Sequence, residues 1–157
     1  MLYTITKNIR KYIPAKPALA HCDGPCGIYD PASARIAAEA ALSMTKKLLA
    51  LEIPSPSDAA AWNSYNNTFT RFVSIKEEQA DIAKKELLIL WTDYFKPPHL
   101  EAYPNLHEIF WKASKLCSSV KVELSEEHAQ ELIHTIHNIH EIFWATKNRN
   151  VEWYTAS

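Results

Sequence analysis

The sequence predicts an all-α fold, an antiparallel up-down bundle of four helices. The 157 residues include only two glycines, Gly24 and Gly27, whereas an all-β fold needs tight turns at regular intervals, many of them built on glycine. From Pro31 onward, apolar residues recur every three or four positions in four segments, and short stretches without that period separate the segments. Amphipathic helices joined by short connections pack as an antiparallel bundle.

The first two predicted helices meet at a loop rich in proline and serine. The first helix begins at Pro31, where the missing N–H of proline costs little. Its apolar stripe consists of Ile36, Ala40, Met44, Leu48 and Leu51. The run Pro54-Ser55-Pro56-Ser57-Asp58 interrupts the period and supplies a capping residue for the second helix. That helix ends at Pro97-Pro98, and its apolar positions are Phe69, Phe72, Val73, Ala80, Ala83, Leu87, Leu90, Trp91 and Tyr94.

The last two predicted helices have regular apolar stripes of large side chains. The third is marked by Leu106, Phe110, Ala113, Cys117 and Val120. The fourth begins near Ser125, a good N-cap residue. Its inner face carries Leu132, Ile136, Ile139 and Phe143.

The composition is that of a soluble globular protein, with 47% apolar and 22% charged residues. No apolar run approaches the roughly 20 residues that span a bilayer, so no membrane partner is expected. The three cysteines are odd in number and form no regular disulfide framework, which is typical of a reducing compartment. We therefore expect a cytoplasmic protein.

The first twenty residues have the features of a leader that is removed. They contain four basic residues and no acidic one, and they end in Pro17-Ala18-Leu19-Ala20, a small-x-small pattern that suits a maturation peptidase cutting after Ala20. Charges interrupt every apolar stretch, so the hydrophobic core of about 7 to 15 residues found in secretory signals is missing. This favours cytoplasmic trimming over export.

The charge of the trimmed chain limits its partners. Removal of the four basic residues lowers the formal net charge from −1 by four, to −5. An acidic chain is a poor partner for nucleic acid. An anionic substrate must be attracted by individual lysines, because the average field repels it.

The segment after the leader, residues 21–30, has the chemistry of a metal-binding hook. Cleavage before His21 exposes its α-amine, which together with the main-chain nitrogen and the thiolate of Cys22 closes two adjacent five-membered chelate rings around one metal ion. The turn permitted by Gly24 and Pro25 brings back Cys26 as a second thiolate, and the His21 imidazole approaches axially. In the uncut chain the amine is a peptide nitrogen, so the leader hinders metal loading.

The ligand set of the hook indicates a redox metal. Thiolates and nitrogens in one plane favour nickel or copper, whereas zinc prefers a tetrahedral set of side-chain ligands. Anionic thiolates and a deprotonated amide stabilise the higher oxidation state, so Ni(III) becomes accessible from Ni(II). A one-electron cycle is therefore feasible.

Two sequence motifs resemble those of the nickel superoxide dismutase family. They are His21-Cys22-Asp23-x-Pro25-Cys26-Gly27-x-Tyr29-Asp30-Pro31 and Trp91-x-Asp93-Tyr94-Phe95-Lys96-Pro97-Pro98-His99. The resemblance extends through the helix pattern, Ile75-Lys76-Glu77 and Phe143-Trp144, and covers residues 21–157. It implies superoxide as the substrate and one nickel ion per subunit, with His21, Cys22 and Cys26 as ligands.

The resemblance also implies a reaction and the side chains around it. Ni(III) would take an electron from one superoxide to release dioxygen, and Ni(II) would return it to another, giving hydrogen peroxide with two protons. Tyr29 and Tyr94 would border the open axial side, where their hydroxyls hold an anion or its ordered water. Asp23 would help to fix that hydrogen-bond arrangement, and Lys96 would supply a local positive field.

The resemblance also implies an assembly, and at two positions the sequence departs from the family pattern. Family members are similar in forming a homohexamer in which each hook is buried against neighbouring subunits, and a cis bond at Gly24-Pro25 is implied. A glutamate and an arginine that orient the axial imidazole in well-known members correspond here to Ala37 and Gln79. Glu39, Glu78 or a backbone carbonyl are the candidates to replace them.

These inferences divide the chain into a leader, residues 1–20, and a superoxide dismutase domain, residues 21–157. The domain comprises the hook at 21–30, the four-helix bundle at 31–149 and a C-terminal tail at 150–157. The third cysteine, Cys117, lies on an apolar stripe and is expected in the core. His134, His137 and His140 drift around their helix and are expected on a solvated or interface face rather than at a second metal site.

Two other functions are compatible with the hook. One is a protein that carries nickel, copper or zinc without turning over superoxide. Tyr29, Tyr94 and Lys96 favour the enzyme, because a carrier has no need of an anion pocket. The other is a structural helix bundle whose dithiol is a redox switch, which predicts full-length protein without bound metal.

Overall fold

The computed structural model describes residues 27–156, and every regular element in that range is helical. The elements are α1 (Ala32–Leu49), α2 (Ala59–Ile89), the π-helical turn Leu90–Tyr94, α3 (Pro97–Ala102), α4 (Leu106–Val122) and α5 (Glu126–Thr146). Helices α1 and α4 each pack against both α2 and α5, so the core lies between the four long helices. No helix of this range is long and apolar enough to cross a membrane. The all-α prediction is confirmed for the described range.

The predicted helix starts are confirmed by their capping contacts. Helix α1 follows Pro31, whose carbonyl accepts a hydrogen bond from the Arg35 N–H at 3.1 Å. A carboxylate oxygen of Asp58 accepts from the Ala61 N–H at 2.9 Å, and the Ser125 hydroxyl accepts from the His128 N–H at 3.1 Å. The Pro31 carbonyl thus accepts the first hydrogen bond of α1, whereas the Asp58 and Ser125 side chains each satisfy an N–H that has no partner within its own helix.

The predicted stripes of α4 and α5 face the core. Both stripes are fully buried, as are Ala80, Ala83 and Leu87 of α2. Large aliphatic and aromatic side chains at helical spacing remove the most apolar area from water, so these two helices are stabilised mainly by burial of that face.

The stripe predicted for α1 is wrong except at Leu48, which is 5% exposed. Ile36 is 54% exposed, and Leu51 lies beyond the end of the helix. The buried face carries mostly small side chains: Ala34, Ala37, Ala38, Ala41, Thr45 and Leu48. These positions also follow the three- and four-residue period, but alanine gives a weaker hydrophobic signal than isoleucine or methionine. Small side chains allow α1 to approach its neighbours closely, which large ones would prevent.

The end of α2 differs from the predicted stop at Pro97-Pro98. The last turn, Leu90–Tyr94, is π-helical, and the Phe95 N–H closes it with a hydrogen bond to the Leu90 carbonyl at 3.2 Å. Pro97 then opens the short helix α3, because proline suits the first helical position. A π-helical turn rotates the following side chains relative to an α-helix, and such turns are frequent at functional sites.

A buried lysine ties α2 to the end of α4. Lys76 is 2% exposed, and its ammonium group donates to three carbonyl oxygens at 2.6, 3.0 and 2.8 Å, those of Val120, Lys121 and Glu123. Burial lowers the pKa of Lys76 from its ordinary value, and the carboxylates of Glu77 and Glu123 oppose that shift. The charge also complements the negative end of the α4 dipole.

Lys76→Met is therefore expected to lower the free energy of unfolding by about 1–3 kcal/mol, because three carbonyl oxygens lose their donor. Chemical denaturation followed by circular dichroism measures this change. The matched control on the same helix is Lys85→Met, which removes a solvent-exposed ion pair with Asp81. This variant should change the free energy of unfolding little. Equal effects of the two variants would contradict the capping role of Lys76.

Candidate metal centre

The predicted site residues divide into two groups. His21, Cys22, Asp23 and Cys26 lie outside the described residues, as does the Gly24-Pro25 bond for which a cis form was implied. Tyr29, Tyr94 and Lys96 lie within them and can be placed.

The junction between the hook and α1 is fixed by local contacts. Gly27, which directly follows Cys26, has φ +65°, a left-handed conformation that favours glycine. An Asp30 carboxylate oxygen accepts from the Ala32 N–H at 2.8 Å, and Pro31 is buried at the start of the helix. The chain from Gly27 to Pro31 therefore enters α1 in a defined direction.

Tyr29 and Tyr94 lie side by side although 65 positions separate them in the sequence. Their ring centroids are 5.6 Å apart, and the rings are inclined by 54°. Tyr29 comes from the first sequence motif and Tyr94 from the second, at the end of the π-helical turn. Tyr29 is also only three residues after Cys26. The described end of the first motif therefore meets the second motif.

The Tyr94 ring is held by aromatic neighbours on two helices and by the residue that follows it. Its centroid lies 4.5 Å from that of Phe143 on α5, 5.0 Å from that of Phe95 and 5.6 Å from that of His99 on α3, which it stacks at 19°. Its hydroxyl oxygen lies 2.6 Å from the hydroxyl oxygen of Thr146, near the end of α5. Contacts of this kind fix both the ring plane and the direction of the hydroxyl.

Two lysines belong to the segments around this tyrosine, and the ammonium group of one of them, Lys147, lies close to its ring. Lys96 is exposed at the start of α3, and its main-chain N–H donates to Nδ1 of His99 at 3.2 Å. The Lys147 ammonium lies 5.3 Å from the Tyr94 ring centroid and 4.8 Å from that of Phe143. Sequence reasoning identified Lys96 and missed Lys147. No sequence motif marks Lys147, which directly follows α5; its place beside Tyr94 follows from the packing of that helix end on the tyrosine ring.

The positions that depart from the family pattern carry no charge. Ala37 is 2% exposed on the core face of α1, and Gln79 is half-buried on α2. Glu39 is one candidate to replace the family glutamate, but both of its carboxylate oxygens already accept hydrogen bonds. One of its carboxylate oxygens accepts from the Arg35 guanidinium at 2.8 Å, and the other accepts from the Ala156 N–H at 2.8 Å. One oxygen of Glu39 therefore bonds within α1, and the other joins α1 to the tail.

Comparison with known proteins decides the family. A family model described as nickel-containing superoxide dismutase matches residues 16–147. The chain belongs to the nickel-containing superoxide dismutase family. It is 40% identical over 138 residues to the superoxide dismutase [Ni] of Streptomyces seoulensis, which covers 88% of this chain and 96% of that protein. It is 39% identical over 138 residues to the superoxide dismutase [Ni] of Streptomyces coelicolor, with the same shares covered.

Solved structures of nickel-containing superoxide dismutases are similar to this chain over most of their length. One, whose nickel ligation corresponds to the oxidized state, is 40% identical with a TM-score of 0.72, and the match covers 82% of this chain and 100% of that one. A native structure is 39% identical with a TM-score of 0.70, and the match covers 81% of this chain and 99% of that one. The expected family is confirmed, and with it nickel as the metal and superoxide dismutase as the kind of enzyme at the level of the family.

In this nickel superoxide dismutase family member, the chain continues beyond residue 147, where the match to the family model ends. It turns at Asn148, which has φ +53°, and runs back along α5. Nε2 of His140 and the Val151 carbonyl oxygen are 2.8 Å apart, and the Trp153 ring stacks on His137 at 4.6 Å. His140 is consequently buried, so the expectation of a solvated or interface face is wrong for this residue. Within 27–156 there is no group of three metal-ligating side chains.

Cys117, the third cysteine, is in the core as predicted. It is 0% exposed, and burial raises the pKa of its thiol to about 12. Since the thiolate is both the nucleophile and the metal ligand, this cysteine is chemically inert in the folded protein.

Alkylation should therefore separate Cys117 from an ordinary thiol. In the folded protein at pH 8, we expect Cys117 to react with iodoacetamide at least about a thousandfold more slowly than in the urea-unfolded chain, because each unit of pKa is a factor of ten in thiolate. Peptide mass mapping over time measures both rates. Similar rates in the two states would show that Cys117 is accessible.

Proposed function

We propose that this chain is an active nickel superoxide dismutase, which converts superoxide to dioxygen and hydrogen peroxide at a centre formed by the hook. The observation that carries the proposal is the 5.6 Å contact between Tyr29 and Tyr94. It brings Tyr29 of the hook against Tyr94 of the π-helical turn, which supports a single site bordered by both sequence motifs. Membership of the family supplies the metal and the class of reaction.

The donors of the hook suit nickel. After cleavage before His21, the chain offers an α-amine, an amide nitrogen, an imidazole and the thiolates of Cys22 and Cys26, a mixture of nitrogen and soft sulfur donors. When bound, nickel supplies one-electron chemistry by alternating between Ni(III) and Ni(II). The burial of Cys117 supports this assignment, because it removes the third thiol from competition.

The protein side chains bind and orient the substrate. The trimmed chain has a formal net charge of −5, four below the −1 of the full chain, so a small anion is attracted only where lysines cluster. Lys147, whose ammonium lies 5.3 Å from the Tyr94 ring centroid, supplies that local field, and the exposed Lys96, two positions after Tyr94, adds to it. Tyr29 and Tyr94 form one wall of the anion pocket, and Asp23 helps to fix their hydrogen bonds.

Maturation and assembly complete the proposal. A peptidase removes residues 1–20 after Ala20, and residues 21–157 form one domain with a hook at 21–30, an antiparallel up-down bundle at 31–149 and a tail at 150–157. The protein works in the cytoplasm as a homohexamer that buries each hook. Exposed apolar side chains at the hook end, Ile28 at 73% and Ile36 at 54%, support burial by a neighbouring subunit.

Cys26→Ser tests the proposal, with Cys117→Ser as the matched control. The serine at position 26 lacks a thiolate, so we expect loss of nickel and of superoxide consumption with unchanged helical content. The same change at position 117 should leave both nickel and activity in place, at some cost in stability. Metal analysis, stopped-flow decay of superoxide and circular dichroism measure the three quantities.

The outcomes separate the candidate functions. Full activity of Cys26→Ser would contradict the ligand assignment. Wild-type protein that binds nickel in the hook but leaves superoxide unchanged would identify a carrier. Full-length protein that binds no metal, with Cys22 and Cys26 oxidising reversibly, would identify a redox switch.

A further inference from the structure

Two short contacts form a chain of hydrogen bonds behind Tyr94. The hydroxyl oxygen of Thr146 lies 2.6 Å from that of Tyr94 and 2.6 Å from the main-chain carbonyl oxygen of Phe143. Thr146 is half-buried near the last turn of α5. The geometry of these contacts determines which oxygen donates.

The carbonyl of Phe143 can only accept, so the Thr146 hydroxyl must donate its one proton to it. Thr146 then has only lone pairs to offer to Tyr94. The contact between the two hydroxyls is therefore satisfied only if Tyr94 donates and Thr146 accepts. The reverse direction would leave two acceptor oxygens of Thr146 and Phe143 facing each other at 2.6 Å without a proton.

We propose that Thr146 is a positioning residue that turns the Tyr94 hydroxyl proton away from the anion pocket. The proposal rests on the pocket role assigned to Tyr94 above. With its proton held by Thr146, the Tyr94 oxygen presents only lone pairs to the pocket. It accepts hydrogen bonds from water or from the neutral peroxide product, and it donates none to an anion.

The packing of the Tyr94 ring leaves rotation about its C–O bond as the way in which the hydroxyl proton can be redirected. The ring is packed between Phe143 at 4.5 Å and His99 at 5.6 Å, and the Lys147 ammonium lies 5.3 Å from its centroid. The hydroxyl can turn its proton only about the C–O bond, and doing so gives up the 2.6 Å bond to Thr146. Anion attraction then depends on the lysines and not on a hydrogen bond from Tyr94.

The hydrogen-bond direction is tested on the full-length chain without metal, so this arm does not depend on the proposed function. In the Raman spectrum of tyrosine, the intensity ratio of the ring Fermi doublet distinguishes a donating hydroxyl from an accepting one. The chain has seven tyrosines, so the Tyr94 signal is taken as the difference between each protein and its Tyr94→Phe counterpart. We expect a donor signature in wild type and Thr146→Ser, and its loss in Thr146→Val.

The consequence for the pocket is tested by azide binding to the nickel-loaded enzyme. Thr146→Val frees the Tyr94 proton, so we expect azide to bind on the order of tenfold more tightly, as for a new hydrogen bond to a charged group. Thr146→Ser should bind azide as wild type does. In a Tyr94→Phe background, Thr146→Val should have no effect, because Thr146 acts only through Tyr94.

Each result decides one claim. An acceptor signature for Tyr94 in the wild-type spectrum would overturn the assigned direction. An effect of Thr146→Val on azide that persists in the Tyr94→Phe background would show a general structural role and overturn the positioning role, as would unchanged azide binding in Thr146→Val. Absence of superoxide consumption in the wild-type enzyme would contradict the proposed function, while the Raman result still decides the hydrogen-bond direction.

Discussion

The anchoring of Tyr94 is the constraint on which the rest of the site depends. Three elements meet at this side chain: the π-helical turn that carries it, α3 through His99, and α5 through Phe143 and Thr146. The hook reaches the same place through Tyr29. A short segment forms a defined pocket when it lies against a rigid wall, and the packed helices supply that wall.

The helices were predictable where the buried side chains are large. The stripes of α4 and α5 are fully buried as expected, and Asp58 and Ser125 cap their helices as their types predict. Helix α1 was assigned the wrong face because its core side chains are alanines, while Ile36 points to the surface. The π-helical turn leaves no trace in the apolar period, since it changes the backbone over a single turn.

The site was predictable only where it is local in sequence. The two motifs identify Tyr29, Tyr94 and Lys96, and the structure brings the two tyrosines together. Thr146 belongs to no motif, and its role follows only from two distances. Glu39 was a reasonable substitute for the missing family glutamate, but its carboxylate is used by Arg35 and by Ala156, 117 positions along the chain. Contacts of that range are set by the tertiary fold.

The central claim is that a free amine at His21 completes the metal site, and nickel binding to three forms of the chain tests it most directly. The forms are the chain starting at His21, the same chain with its α-amine acetylated, and the full-length chain, each titrated with nickel against a competing chelator and assayed for superoxide decay. We expect tight binding of one nickel and rapid dismutation only for the first form, because the other two lack a nitrogen donor. Equal nickel affinity and equal activity in all three forms would contradict the account.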